Sequence, residues 1–229
     1  MLQPKKKISK RELKEDALIT KYVQVTTFYE NHKKNISIAV TAVVVLVIGW
    51  LVYTNNRNAN NEQALSDLGK VYSYFDNGQY QVAIDGVPER NIPGLKSIVD
   101  NYGGTTSGNL ARFYLANAYH NLGKFDEALQ EFKDFSAADQ VLSVSRLSGI
   151  ASCYEGKKMF AEAAEYFEDA ATKYAKDISA PEYLNDAARD YALAGKKEKA
   201  IELYKRLKTQ FPTSSFAREV DRYLAQLSV

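Results

Sequence analysis

The fold is decided by the stretch ARFYLANAYHNLGKFDEALQEFKDF, residues 111–135. Apolar residues recur at spacings of three and four on both sides of Gly123, which predicts two amphipathic helices. Glycine accepts the positive φ of a helix C-terminus, so Gly123 is expected to end the first helix. The two small residues of the pattern let the helices approach closely, and the aromatic residues fill the space around them. The pattern consists of Ala116, Tyr119, Gly123, Phe125 and Ala128.

The same pattern occurs three more times along the chain. Its other copies are Val71, Tyr74, Gly78, Tyr80 and Ala83; Ala151, Tyr154, Lys158, Phe160 and Ala163; and Ala188, Tyr191, Gly195, Lys197 and Ala200. Equivalent tyrosines are 45, 35 and 37 residues apart. These residues resemble the tetratricopeptide repeat, a helix–turn–helix unit of about 34 residues. The resemblance implies an all-α, right-handed α-solenoid.

The repeat domain is expected at residues 62–229. We predict repeats at about 64–108, 109–143, 144–180 and 181–214, with a capping helix at 215–229 that covers the apolar face of the last repeat. The first repeat is long because an insertion, residues 86–108, interrupts its second helix. Pro88 and Pro93 break the helix, and the apolar spacing from Leu95 to Tyr102 predicts that a short helix then resumes.

Residues 103–108, GGTTSG, have the glycine spacing of a phosphate-binding loop. Such a loop requires Lys and Ser or Thr next, but Asn109 and Leu110 follow. We therefore predict a turn in which Thr106 or Ser107 caps the helix of the second repeat.

A second feature is the apolar run ISIAVTAVVVLVIGWLVY, residues 36–53, which contains no charged residue. As a helix it is about 27 Å long, close to the thickness of the hydrocarbon layer of a membrane. It is long for a buried core helix, and the Ala-x-Ala site of a cleaved signal peptide does not follow it. We predict a single uncleaved transmembrane helix, with a helical tail at residues 1–35 and a polar linker at 54–61.

The charge distribution predicts the orientation of this span. Of the 30 Lys and Arg residues, nine lie in residues 1–35, which leaves 21 for the rest; of the 28 acidic residues, four lie there, which leaves 24. Basic residues favour the cytoplasmic side. We expect a bacterial inner-membrane protein with a cytoplasmic N-terminus and a periplasmic C-terminal domain. The slightly acidic C-terminal domain does not favour nucleic-acid binding.

No pattern in the sequence favours catalysis, a cofactor or a metal site. The two histidines, His32 and His120, are far apart, and Cys153 is the only cysteine. A zinc site would need more ligands of these types. Cys153 lies within a predicted helix and is expected to be a small buried residue. We therefore predict that the protein is not an enzyme and has no small-molecule substrate.

A binding groove is the remaining candidate site. Tetratricopeptide repeats bind polypeptides on a concave face formed by the first helix of each repeat, and that resemblance selects particular positions here. Aromatic and amide side chains at these positions would hold a polypeptide through apolar contacts and side-chain hydrogen bonds. Packing within the protein is the alternative role for them. The candidates are Tyr72, Phe75, Phe113, Asn117, His120, Asn121, Asn185 and Arg189.

The anchor, the basic tail KKKISKRELKED (5–16) and the repeats together resemble the YfgM-like membrane proteins of bacteria. That resemblance implies an accessory of the Sec translocon that passes emerging polypeptides to periplasmic chaperones. The segment PGLKSIVDNYGGTTSGNLARFY (93–114) also resembles anchored repeat proteins of the Bacteroidetes type, and FPTSSFA (211–217) resembles a motif of periplasmic assembly proteins. A structural scaffold for another membrane or envelope complex is therefore the alternative function.

Overall fold

The computed structural model describes the backbone of residues 10–228 and the side chains of residues 19–228. Contacts divide the chain into two compact units, with the boundary between Asn56 and Arg57. Helix α1, Lys10–Asp76, runs through this boundary. The segment 54–61, for which the sequence predicts a linker, is therefore helical. Residues 1–9 of the predicted helical tail lie outside the described residues.

The apolar run in α1 is not buried within the protein. None of the most apolar window of this helix is buried, and its mean hydropathy is 2.5. Leu46 is 72% exposed and Trp50 is 64% exposed. By length and composition this helix is able to cross a membrane. A buried core helix would instead be covered by other parts of the chain.

The second unit consists of paired helices, which confirms the predicted solenoid fold. The pairs are α4 (Thr106–Asn121) with α5 (Phe125–Asp134), α6 (Gln140–Gly156) with α7 (Phe160–Lys173), and α8 (Ala180–Leu193) with α9 (Lys197–Gln210). In the first repeat, the end of α1 packs with α2 (Tyr80–Asp85) and α3 (Leu95–Tyr102) around a shared apolar cluster. The small residues of the repeat pattern lie at the helix contacts, where Ala116, Ala151 and Ala188 are each 0% exposed.

The turns between paired helices use the left-handed backbone region. Gly78, Gly123 and Gly195 have φ values of 73°, 73° and 76°. Lys158 occupies the same position in the third repeat and has a φ of 58°. Glycine adopts this conformation without a steric cost, whereas lysine is strained by its β carbon. The third turn therefore has the geometry of the other turns despite its sequence.

The insertion divides the second helix of the first repeat. A two-stranded antiparallel hairpin, β1 (Gly86–Val87) and β2 (Ile92–Pro93), separates α2 from α3 and encloses a short 3-10 helix, Pro88–Arg90. This hairpin departs from the purely helical expectation. Helix α3 buries Leu95, Ile98 and Val99, as their spacing predicts.

The helix caps differ in part from the sequence prediction. Thr105 caps α4, because its Oγ1 accepts a hydrogen bond from the Gly108 N–H at 3.1 Å. The prediction of Thr106 or Ser107 as this cap was therefore wrong. Ser214 caps the closing helix α10, Ser215–Leu227, through its Oγ and the Phe216 N–H at 3.2 Å. That helix covers the apolar cluster of the last repeat with Val220, which is 0% exposed.

Candidate polypeptide-binding groove

The first helices of the second, third and fourth repeats lie side by side. We call the surface that they form the groove face. Its central residues come from α4 and α6 and surround an open cavity of about 280 Å³. The residues at this cavity are Phe113, Asn117, His120, Ser145, Ser148, Gly149, Ser152 and, underneath, Phe132. Farther along, Glu155 on α6 meets Arg189 on α8.

Gly149 lets α6 pack directly over an aromatic ring. A β carbon on Gly149 would lie 2.5 Å from Cζ of Phe132, well inside van der Waals contact. Phe132 itself is 1% exposed and contacts Phe113 edge to face, with 6.0 Å between ring centroids. The floor of the cavity is therefore an aromatic core residue, and its wall is partly glycine backbone.

The polar side chains around the cavity are hydrogen-bonded to their own helices. Asn117 Nδ2 donates to the Phe113 carbonyl at 2.7 Å, and Asn121 Nδ2 donates to the Asn117 carbonyl at 2.8 Å. On α6, Ser145 Oγ donates to the Val141 carbonyl at 2.9 Å. These bonds hold the side chains in place.

A charged network joins α6 to α8. The Arg189 guanidinium contacts the Glu155 carboxylate, donates to Asp186 Oδ1 at 2.8 Å, and donates to Asp190 Oδ1 at 3.4 Å. Arg189 is 43% exposed and Asp190 is fully buried. The network therefore extends from the surface of the groove face into the contact between the helices.

Burial makes the carboxyl groups of this network weaker acids. Desolvation, together with the nearby Glu155 charge, raises the pKa of Asp190 to about 7, although Arg189 acts in the opposite direction. Desolvation also raises the pKa of Asp186 against the effect of Arg189. Asn185 Oδ1 and Asp190 Oδ2 have no hydrogen-bond partner among residues 19–228. A buried acceptor without a donor is rare in folded proteins.

The structure brings five of the eight predicted groove residues onto this face. Phe113, Asn117 and His120 line the cavity, while Asn185 and Arg189 belong to the region of the charged network. His120 lies edge-on against the Phe125 ring, with 5.5 Å between centroids.

The other three predicted residues are placed differently. Asn121 is exposed at the end of α4. Tyr72 and Phe75 pack against Tyr114, with 5.3 and 5.1 Å between ring centroids. These two aromatic side chains therefore lie at the contact between the first and second repeats, where Tyr72 remains 41% exposed.

Sequence reasoning missed three acidic residues of the groove face, Glu155, Asp186 and Asp190. Glu155 lies four residues after Ala151, just as His120 lies four residues after Ala116. Aligning the repeats on these alanines would therefore have identified Glu155 as a groove position. Asp186 and Asp190 lie beside the positions that the repeat family uses for binding. Their importance depends on the contact between α6 and α8, which no local pattern in the sequence reveals.

Two other candidate sites are occupied by structural contacts. In the 103–108 loop, the Ser107 N–H donates to Asn61 Oδ1 at 2.8 Å and the Gly108 N–H donates to Thr105, so neither is directed at a phosphate. Cys153 is 0% exposed, and desolvation raises the pKa of its thiol to about 12. The thiol is therefore protonated at neutral pH and unsuited to nucleophilic attack.

Comparisons with known proteins agree with this architecture. Two models of the tetratricopeptide repeat match the chain, at residues 110–138 and 149–215. No curated protein sequence matches it. A crystal structure from Podosopora anserina, described as a putative kinesin light chain with nearly identical TPR-like repeats, is 20% identical, with a TM-score of 0.54 over 73% of this chain and 86% of that one. A glutamine-to-methionine variant of that protein has the same identity and TM-score, over 73% of this chain and 85% of that one. The repeat models therefore match two segments of this chain, and the structural likeness shows that it shares the solenoid fold.

Proposed function

We propose that this protein is a membrane-anchored module that binds polypeptide segments on its groove face. Tetratricopeptide repeats are protein-interaction scaffolds, and the open cavity between α4 and α6 is the observation that carries the proposal. Its floor is aromatic, and its rim consists of amide and hydroxyl groups held by their own helices. Such a site buries an apolar side chain of a partner while hydrogen-bonding the neighbouring backbone.

The size of the cavity suits a side chain of a partner. Its volume is about 280 Å³, and it is open to solvent. The charged network of α6 and α8 lies farther along the groove face. A partner that extends across several repeats would contact both regions.

We place this activity at the periplasmic face of a bacterial inner membrane. The apolar part of α1 and the basic residues before it support an anchor with a cytoplasmic N-terminus. The YfgM-like resemblance supports a role beside the Sec translocon, in the transfer of emerging polypeptides to periplasmic chaperones. The scaffold function in another envelope complex makes a different prediction about which proteins lie beside the anchor.

Site-specific photocrosslinking in intact cells tests the binding surface. A photoreactive phenylalanine analogue at Ser148, in the groove face, should capture polypeptides. The same analogue at Glu165, an exposed position on α7, is the matched control. Equal products from the two positions, or no product from Ser148, would contradict binding on the groove face.

The membrane assignment is tested with the same method. A crosslinker at Trp50 should capture a translocon subunit, whereas capture of a subunit from another complex would favour the scaffold function. Protease added to spheroplasts should digest the chain beyond Asn55 and leave residues 1–35 intact. Digestion of the N-terminal tail instead would show that the orientation is reversed.

A further inference from the structure

Two serine hydroxyls of the groove face present only acceptors to a partner. Ser145 and Ser148 each donate their single hydroxyl hydrogen to a backbone carbonyl of α6, at 2.9 and 3.1 Å. Only their lone pairs remain available to a ligand. Asn117 and Asn121 each use one amide hydrogen within α4 and keep the other. A partner that supplies donors therefore complements the two serines.

Two buried oxygens at the α8 end of the groove face lack a donor. Asn185 is 9% exposed and Asp190 is 0% exposed. Asn185 Oδ1 and Asp190 Oδ2 have no hydrogen-bond partner among the side chains that the structure describes. Native proteins rarely leave such acceptors unpaired. Among the described residues one buried donor, Arg146 Nε on α6, is unpaired as well.

Negative charge exceeds positive charge in the same place. Glu155, Asp186 and Asp190 share one guanidinium, that of Arg189, and all three of its nitrogens already contact them. Glu182, one turn before Asp186 on α8, is exposed and adds further negative potential. Desolvation raises the pKa of Asp186, and it raises that of Asp190 to about 7, so Asp190 is only partly ionised at neutral pH and adds less negative charge than the others.

We infer that the groove face selects polypeptide segments that contain a lysine or arginine next to an apolar residue. The cation lies over Glu155 and Asp186, and the apolar side chain enters the cavity beside Phe113. Lysine and arginine fit because their charged groups are donors only, with three and five N–H groups respectively. Acidic segments are rejected, because they would bring a carboxylate next to these carboxyl groups. This inference rests on the proposed function and names the partner chemistry.

A peptide library tests this selectivity with the full-length protein in a neutral detergent. The probes are 12-residue peptides with randomised apolar flanks and a central Lys, Arg, Gln or Glu. Lys and Arg peptides should be retained about two- to fivefold more than Gln peptides, the range expected for a solvent-accessible charge pair. The preference should fall when the salt concentration is raised.

Charge variants locate the preference on the groove face. Glu155→Gln and Asp186→Asn should reduce the preference for Lys and Arg peptides. Glu182→Lys should reduce it as well, and because Glu182 is exposed this substitution should not disturb folding. Glu127→Lys, at an exposed position on α5, is the matched control and should leave it unchanged. Circular dichroism of each variant checks that it is folded.

The outcomes separate the inference from the proposed function. Retention of Lys and Gln peptides to the same extent, or a preference for Glu, would overturn the inference while leaving polypeptide binding intact. A preference that survives Glu182→Lys and is lost in Glu127→Lys would also overturn it, because the cation would then bind elsewhere. Failure to retain any peptide would overturn both the inference and polypeptide binding.

Discussion

Replacement of Asp190 by asparagine should change how the stability of the protein depends on pH. Asp190 is fully buried, and its folded-state pKa is raised from 3.8 to about 7 by desolvation and by Glu155. Below pH 4 the carboxyl is protonated in both the folded and the unfolded state. Between pH 4 and 7 only the unfolded state ionises, so stability is lost as the pH rises. Above pH 7 the carboxyl is ionised in both states, and the folded state then bears the full energetic cost of a buried negative charge.

The magnitude follows from the size of this window. One pKa unit corresponds to about 1.4 kcal/mol, so raising the pH from 5 to 8 should cost the wild-type protein about 2–3 kcal/mol at this site. An asparagine side chain at this position does not ionise and keeps both an acceptor and a donor near Glu155. The Asp190→Asn variant should therefore gain about 2–3 kcal/mol relative to wild type over the same pH range.

This difference is measured by urea unfolding in neutral detergent at pH 5, 6.5 and 8. Far-ultraviolet circular dichroism monitors the unfolding. Asp100→Asn on α3 is the matched control, because Asp100 is exposed and its variant should track the wild type at every pH. The reasoning would be refuted if the free energies of unfolding of Asp190→Asn and wild type differed by the same amount at all three pH values. That result would mean that the buried carboxyl already has a compensating partner.

Three further predictions concern packing and strain. Lys158→Gly should raise the free energy of unfolding by about 0.5–1 kcal/mol, because it removes left-handed strain at φ 58°; Lys158→Ala keeps the β carbon, and an equal gain there would contradict this explanation. Gly149→Ala should destabilise by about 1–3 kcal/mol through its clash with Phe132, and Phe132→Leu should relieve part of that loss in a double-mutant cycle. Gly104→Ala, which meets no atom within 4 Å, should show no such coupling to Phe132→Leu. Cys153 should resist iodoacetamide at pH 8 in the native protein and react after unfolding, whereas rapid native labelling would show that the thiol is accessible.

Much of the fold was predictable because the repeat is a local code. Small residues such as Ala116 and Ala151 mark helix contacts, and Gly123 marks a turn, whatever lies elsewhere in the chain. The predicted cap of α4 was wrong because several neighbouring residues are equally suited to cap a helix. Three neighbouring hydroxyl residues follow Gly104, and the side chain that caps α4 is Thr105.

The candidate binding site was predictable only in part. Positions such as Phe113, Asn117 and His120 follow from repeat register, and the structure places them around one cavity. The contact of Glu155 with Arg189 joins residues 34 apart in sequence. It depends on how α6 and α8 are aligned, and side-chain types alone do not specify that alignment.

The sequence by itself determined the helical repeats, the apolar span and the uneven distribution of charge, because periodicity and composition act over short distances. Only the tertiary structure decided which polar groups are buried and which remain available to a ligand. Tyr72 and Phe75 pack against Tyr114, while Asp190 is buried between helices with one oxygen unpaired among the described residues. Burial and hydrogen-bond satisfaction are properties of packed neighbours, and those neighbours come from separate repeats.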